Sequence, residues 1–67
     1  MISKEIKRLR TERQMTQRQL ARALDVGELA ISRWERGINQ PTVTNIQRLA
    51  GTFEVPITVL FGATSSV

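Results

Sequence analysis

The chain has 67 residues, a formal net charge of +4 and neither cysteine nor histidine. A chain of this length forms one small domain, and without cysteine or histidine it has no disulfides and none of the usual zinc ligand sets. Seven basic and two acidic residues lie within residues 1–22, against three basic and four acidic ones within residues 23–67. This basic front half favours a polyanion as partner.

The first predicted helix begins near Ser3, as its N-cap, and runs to about Arg13, with Ile2, Ile6 and Leu9 on one face. A basic amphipathic helix can also lie on an anionic membrane, but this face has only three apolar residues and no aromatic one, so no membrane partner is expected. No apolar run approaches the about 20 residues that span a bilayer. The N-terminus also lacks the apolar core of a signal peptide, since charges begin at Lys4. We therefore expect a cytoplasmic protein.

The second predicted helix covers residues 17–24 and has Thr16 as its N-cap. Its apolar residues recur at three- and four-residue spacing, which gives the helix one inward stripe: Leu20, Ala21 and Leu24. A turn over residues 25–27 follows, and Asp25 is expected in the left-handed conformation that aspartate tolerates better than most residues.

The third predicted helix covers residues 28–36 and is followed by Gly37 as a left-handed helix stop. Ile31 and Trp34 form a narrow inward stripe, which makes Trp34 a core residue rather than a stacking platform for nucleic acid. The remaining residues lie off this stripe: Glu28, Leu29, Ser32, Arg33 and Arg36. A helix anchored along one edge, with its first turn projecting, has the shape needed to enter a DNA major groove.

Two further helices complete the prediction. Thr42 or Thr44 caps the fourth, whose expected inner face carries Val43, Ile46, Leu49, Ala50 and Phe53. Pro56 suits the first turn of the fifth, whose expected apolar side is Ile57, Leu60 and Phe61. The domain is predicted over residues 1–62, with a flexible tail over residues 63–67.

With these helices placed, the chain resembles the lambda-repressor-like family, also called the Cro/C1-type or XRE family, of helix-turn-helix DNA-binding domains. The resemblance covers roughly residues 6–61 and depends on four features in order: MTQRQLA from Met15, ISRWERG from Ile31, Pro41, and VPITVLFG from Val55. It implies an all-α, compact five-helix fold with the helix-turn-helix motif at about 17–36. The family often has glycine at the positions of Gln14 and Asp25, and serine or threonine at that of Gly27.

The resemblance also implies a function and its residues. The expected protein is a sequence-specific transcriptional regulator, a repressor, that binds a double-stranded DNA operator as a homodimer. Base contacts are expected from Glu28, Leu29 and Arg33. DNA backbone contacts are expected from Gln17, Arg18, Ser32, Arg36, Asn39, Gln40 and Thr42. A structural ion pair is expected between Arg10 and Glu35, and a weak dimer contact from Ile57, Leu60 and Phe61, which are also needed to complete the core.

Each base-contact residue has an alternative. Arg33 can grip guanine O6 and N7 together, or it contacts a phosphate. Glu28 accepts from a cytosine amine, or it serves as a favourable charge at the helix N-terminus. Leu29 contacts a thymine methyl group, or it packs against the second helix.

The same residues bear on two other functional classes. An acidic residue next to an apolar one, as at Glu28 and Leu29, also suits a protein-interaction module such as an antirepressor or antitoxin component, and a regulatory protein partner fits this alternative. An enzyme is not expected, because the chain has no histidine, cysteine or tyrosine, no glycine-rich phosphate loop and no carboxylate pair placed for acid–base chemistry. Neither a cofactor nor a metal is expected.

Overall fold

The computed structural model describes residues 2–62, and the predicted tail over residues 63–67 lies outside them. Within the described part the chain is all-helical, which confirms the predicted five-helix fold. The helices are α1 (Ile2–Glu12), α2 (Gln17–Leu24), α3 (Glu28–Glu35), α4 (Val43–Phe53) and α5 (Ile57–Leu60). None of these helices is long and apolar enough to cross a bilayer.

All five helices contribute to one apolar core. Seven side chains in it are fully buried: Ile6, Leu20, Leu24, Ile31, Leu49, Phe53 and Leu60. Burial of each such side chain contributes about 1.5–3 kcal/mol, so this core is the main source of stability in a domain without disulfides. Both α2 and α1 pack against α3, and they fix its orientation from two sides.

The start of α1 differs from the prediction. The helix begins at Ile2 and ends at Glu12, and Ser3 lies inside its first turn, so the N-cap expected at Ser3 is wrong. Ile2 is buried in the core, and this packing extends the helix beyond the residue that local capping chemistry favours. Ser3 is itself buried, and its Oγ would lie 3.8 Å from a Cβ added at Gly37.

Threonine caps two helices. The Thr16 hydroxyl accepts a hydrogen bond from the Gln19 amide at 3.0 Å, and the Gln19 side chain accepts one from the Thr16 amide at 2.8 Å, so the predicted cap of α2 is a full capping box. At α4 the cap is Thr42 rather than Thr44, because the Thr42 hydroxyl accepts from the Asn45 amide at 3.2 Å.

Left-handed residues follow the helices. Asp25 has φ 57° and Gly37 has φ 75°, as predicted. Gln14 (φ 57°) and Glu54 (φ 58°) adopt the same conformation without being glycine. Conformational strain is therefore present at three non-glycine positions among the described residues.

The inner faces of α4 and α5 need two corrections. Val43, expected on the inner face of α4, is 69% exposed because it occupies the first position of the helix, beyond the edge of the core. On α5, Leu60 is fully buried whereas Ile57 and Phe61 are exposed, so Leu60 cannot take part in the predicted dimer contact. Pro56 is the N-cap of α5 rather than part of its first turn.

Candidate nucleic-acid interface

The turn between α2 and α3 is fixed by its backbone and by one apolar side chain. The Asp25 amide donates to the Arg22 carbonyl at 3.2 Å, and the Val26 amide donates to the Ala21 carbonyl at 3.0 Å. Val26 packs against the core. Because the turn is closed by left-handed Asp25 and anchored by Val26, α3 leaves α2 in a fixed direction.

One edge of α3 faces outward. Ile31 and Trp34 are buried. At about 100° of rotation per residue, Leu29 lies about 160° from Ile31 and about 140° from Trp34 around the helix axis. Leu29 is therefore almost opposite the buried stripe, and it is 56% exposed. Leu29 is neither in the core nor among the partly buried side chains packed against it, and contact of Leu29 with a DNA base stays a prediction.

The other predicted side chains of α3 share this outward edge. Glu28, Arg33 and Arg36 are exposed, and Ser32 is partly buried. Arg36 is the C-cap residue, so α3 ends one residue before its predicted end, and the Arg36 Nε donates to the Ser32 carbonyl of α3 at 3.4 Å. The N-cap of α3 is Gly27, so no side chain covers the first amides of the helix. The first turn of α3 is consequently open to a ligand.

A buried ion pair sets the position of α3 against α1. The Arg10 Nε donates to Glu35 Oε2 at 2.6 Å and its Nη2 donates to Glu35 Oε1 at 3.0 Å, so the expected Arg10–Glu35 pair is present. The two side chains are only 12% and 3% exposed. Arg10 Nη1 also donates to the Met15 carbonyl at 2.7 Å, which ties the loop after α1 to the same group.

Gln17 belongs to this network, which the sequence did not indicate. Its Nε2 donates to Glu35 Oε1 at 3.1 Å, so its side chain joins α2 to α3. An amide nitrogen carries two hydrogens, and the second remains for another acceptor. A phosphate contact by Gln17, expected from the resemblance, would use this hydrogen or the backbone amide in the first turn of α2.

A second exposed segment follows α3. Asn39, Gln40 and Thr42 are exposed, and they lead into the first turn of α4. The Ile38 amide donates to the Arg33 carbonyl at 3.0 Å, which fixes the start of this segment on the end of α3. The exposed segment therefore continues directly from the end of α3, the helix that carries the outward edge.

Several arginines have protein partners instead. Arg8 pairs with Glu5 and Glu12, whose hydrogen bonds raise the pKa of its guanidinium. Arg13 donates to the Phe53 carbonyl at 2.7 Å, with its guanidinium 5.3 Å from the centroid of the Phe53 ring. Both guanidinium groups are thus hydrogen-bonded to other groups of the protein.

Arg48 likewise donates to a carbonyl, that of Leu24 at 3.3 Å, at the end of α2. By contrast, Arg18 and Arg33 are exposed and form no salt bridge with any residue between 2 and 62. Their positive charges are available to a ligand. The same range holds no cluster of acidic residues that could bind a metal ion.

Comparisons with known proteins fit this geometry. A helix-turn-helix family model matches residues 6–60. The chain is 37% identical over 62 residues to the HTH-type transcriptional regulator DicA of Escherichia coli (strain K12), covering 91% of this chain and 46% of DicA. It is 33% identical over 60 residues to the cryptic phage CTXphi transcriptional repressor RstR of Vibrio cholerae, covering 90% of this chain and 54% of RstR. The chain thus spans about half the length of these curated relatives.

A solved structure supports the fold. The chain superposes with a TM-score of 0.84 on the crystal structure of SinR, the master regulator for biofilm formation, in complex with DNA. The two sequences are 24% identical, and the match covers 91% of this chain and 98% of the SinR chain. This likeness confirms the arrangement of the helices.

Proposed function

Because the chain belongs to the Cro/C1-type helix-turn-helix family, we propose that it is a sequence-specific double-stranded DNA-binding transcriptional regulator, a repressor, that reads the major groove with α3. The observation that carries this proposal is the outward edge of α3, opposite buried Ile31 and Trp34. Repression follows if the bound protein covers a promoter. A reporter assay with the operator placed in the promoter measures directly whether transcription falls or rises.

The base contacts in this proposal come from the outward edge. Arg33 is exposed and without a carboxylate partner in the described chain, so its guanidinium is available to guanine O6 and N7. Glu28 lies at the start of α3, where it accepts from a cytosine amine or balances the helix dipole. Leu29 has no polar group and offers an apolar contact.

The backbone contacts come from both sides of α3. On one side, Gln17 and Arg18 begin α2, where free amides and a positive charge attract a phosphate. On the other side are the exposed segment and the start of α4, with Asn39, Gln40 and Thr42. Ser32 and Arg36 lie between the two groups in the sequence. Such contacts position a protein on the duplex without reading its sequence.

Titration against duplex DNA tests the proposal. We expect Arg33→Ala to lose discrimination between the selected site and random duplex, whereas Lys7→Ala, which removes the same charge from α1, keeps it. Equal loss of discrimination in both variants would mean that net charge rather than α3 governs binding. No measurable affinity for duplex DNA would refute the proposal. An affinity that does not change between two salt concentrations would refute its phosphate contacts, since each neutralised phosphate contributes a log–log slope of about −0.9.

We further propose that the protein binds a two-fold symmetric operator as a homodimer, with half-sites about 34 Å apart. The exposed side chains of Ile57 (37%) and Phe61 (59%) are the apolar contact, without Leu60. Phe61→Ser is expected to weaken binding to the full operator but not to a single half-site. Lys7→Ser, at an exposed residue of α1 outside both proposed contacts, is the control, and it should leave the ratio of the two affinities unchanged.

A protein partner is the second candidate, because Glu28 and Leu29 present an exposed acid beside an exposed apolar side chain. Copurification of a stoichiometric protein that is released by Leu29→Ala, together with no retardation of duplex DNA, would favour this function over the first.

A further inference from the structure

We infer that Leu29 recognises the C5-methyl group of a pyrimidine, thymine above all, in each half of the operator. This inference deepens the proposed function and depends on it. The structure carries it through the position of Leu29, because a leucine that is 56% exposed near the middle of the outward edge contributes nothing to the core of the described domain.

The chemistry of Leu29 allows one kind of base contact. A leucine side chain has neither donor nor acceptor, so it cannot pair with the polar edge of any base. The one apolar group that unmodified DNA presents in the major groove is the thymine methyl. Burial of Leu29 against that methyl removes apolar surface from water on both molecules, and this is favourable in proportion to the area removed.

The neighbours of Leu29 define where this methyl lies. Arg33 is about 40° away around the helix axis and about 6 Å further along it, so the two side chains point to the same side one turn apart. Base pairs are stacked about 3.4 Å apart. Since 6 Å along α3 spans at most about two base-pair steps, the thymine contacted by Leu29 is expected within about two base pairs of the guanine contacted by Arg33.

Uracil substitution tests the contact at the level of a single group. The preferred duplex is first selected from a randomised pool with the unaltered protein. Each thymine is then replaced in turn by uracil, which keeps the base pairing and removes only the methyl group. We expect that in each half-site a single thymine position is sensitive, and that uracil at that position weakens binding roughly fourfold, the factor for one buried methyl(ene) group.

The variant Leu29→Ala completes a double-substitution cycle. It should bind less tightly than the unaltered protein and lose the sensitivity to uracil at that position. Because Leu29 is exposed, the variant is expected to fold, and a thermal melt verifies this. Lys7→Ala is the control, since Lys7 is exposed on α1 and outside the proposed DNA contacts, and it should keep the full uracil effect.

Three results would overturn the inference. The first is a selected site that has no thymine within about two base pairs of the guanine for which Arg33→Ala loses its preference. The second is tight binding that no uracil replacement weakens. The third is a uracil effect that persists unchanged in Leu29→Ala. Failure to bind any duplex would instead refute the proposed function, and the inference with it.

Discussion

Replacement of Glu35 by alanine is expected to leave a large fraction of the protein molecules unfolded. Its carboxylate is 3% exposed and accepts hydrogen bonds from Arg10 Nε, Arg10 Nη2 and Gln17 Nε2. Alanine would leave the guanidinium of Arg10, itself 12% exposed, with the Met15 carbonyl as its remaining acceptor. Loss of one partner from a buried pair costs about 3–5 kcal/mol. A core of this size supplies a net stability of only about 3–5 kcal/mol.

Urea unfolding measures this loss. Trp34 is the only tryptophan in the chain and is 6% exposed, so its fluorescence reports on the packing of α3. Far-UV circular dichroism follows the helices in the same titration. The control is Glu12→Ala, because the Glu12 carboxylate is 53% exposed in its 2.9 Å pair with Arg8. An exposed pair contributes about 1 kcal/mol at most, so this control should remain folded.

A double variant separates charge from volume. In Arg10→Met with Glu35→Leu both charges are absent, and apolar side chains of similar size fill the site. Such replacements of buried pairs are often neutral or stabilising, so the double variant should be more stable than Glu35→Ala alone. The reasoning is refuted if Glu35→Ala costs no more than Glu12→Ala, since the burial of the pair would then have no energetic consequence.

Two other predictions concern the helix ends. Thr42→Ala removes the cap of α4 and should lower the free energy of unfolding by about 1 kcal/mol, whereas Thr44→Ala, which removes no cap, should change it much less; equal losses in urea titrations would contradict the assignment of the cap. Gln14→Gly and Glu54→Gly relieve the strain of a left-handed backbone conformation, and each should raise the free energy of unfolding by about 0.5–1 kcal/mol. A lower melting temperature in either variant would show that the side chain contributes more than the strain costs.

The sequence predicted the helix-turn-helix region best, because local signals and packing agree there. The bounds of α2, its cap at Thr16 and left-handed Asp25 are confirmed. Where burial and local chemistry conflict, the prediction was wrong. At Ser3 the burial of Ile2 outweighed a capping signal, and at Val43 apolar character at helical spacing did not reveal that the first turn of α4 projects beyond the core.

Contacts between distant residues were predictable only through the resemblance. The Arg10–Glu35 pair came from it, since nothing in the spacing of the two residues brings them together. The Gln17–Glu35 hydrogen bond was missed, because it depends on the angle at which α2 packs on α3. The contact of Arg13 with the Phe53 carbonyl was missed for a related reason: a backbone acceptor leaves no signal in the sequence.

The folded chain also changes how its charge should be interpreted. The basic front half favours a polyanion, yet Arg8 in that half pairs with the carboxylates of Glu5 and Glu12. Arg18 has no such partner among the described residues and lies in the first turn of α2, where a phosphate contact is proposed. We therefore expect Arg18→Ala to lower the affinity for duplex DNA and to reduce the log–log salt slope by about 0.9, the contribution of one phosphate. Arg8→Ala removes the same charge but should leave the slope unchanged. Equal salt slopes in the two variants would show that binding depends on the net charge of the domain. The charge of Arg8 would then contribute to DNA binding despite its pairing with Glu5 and Glu12.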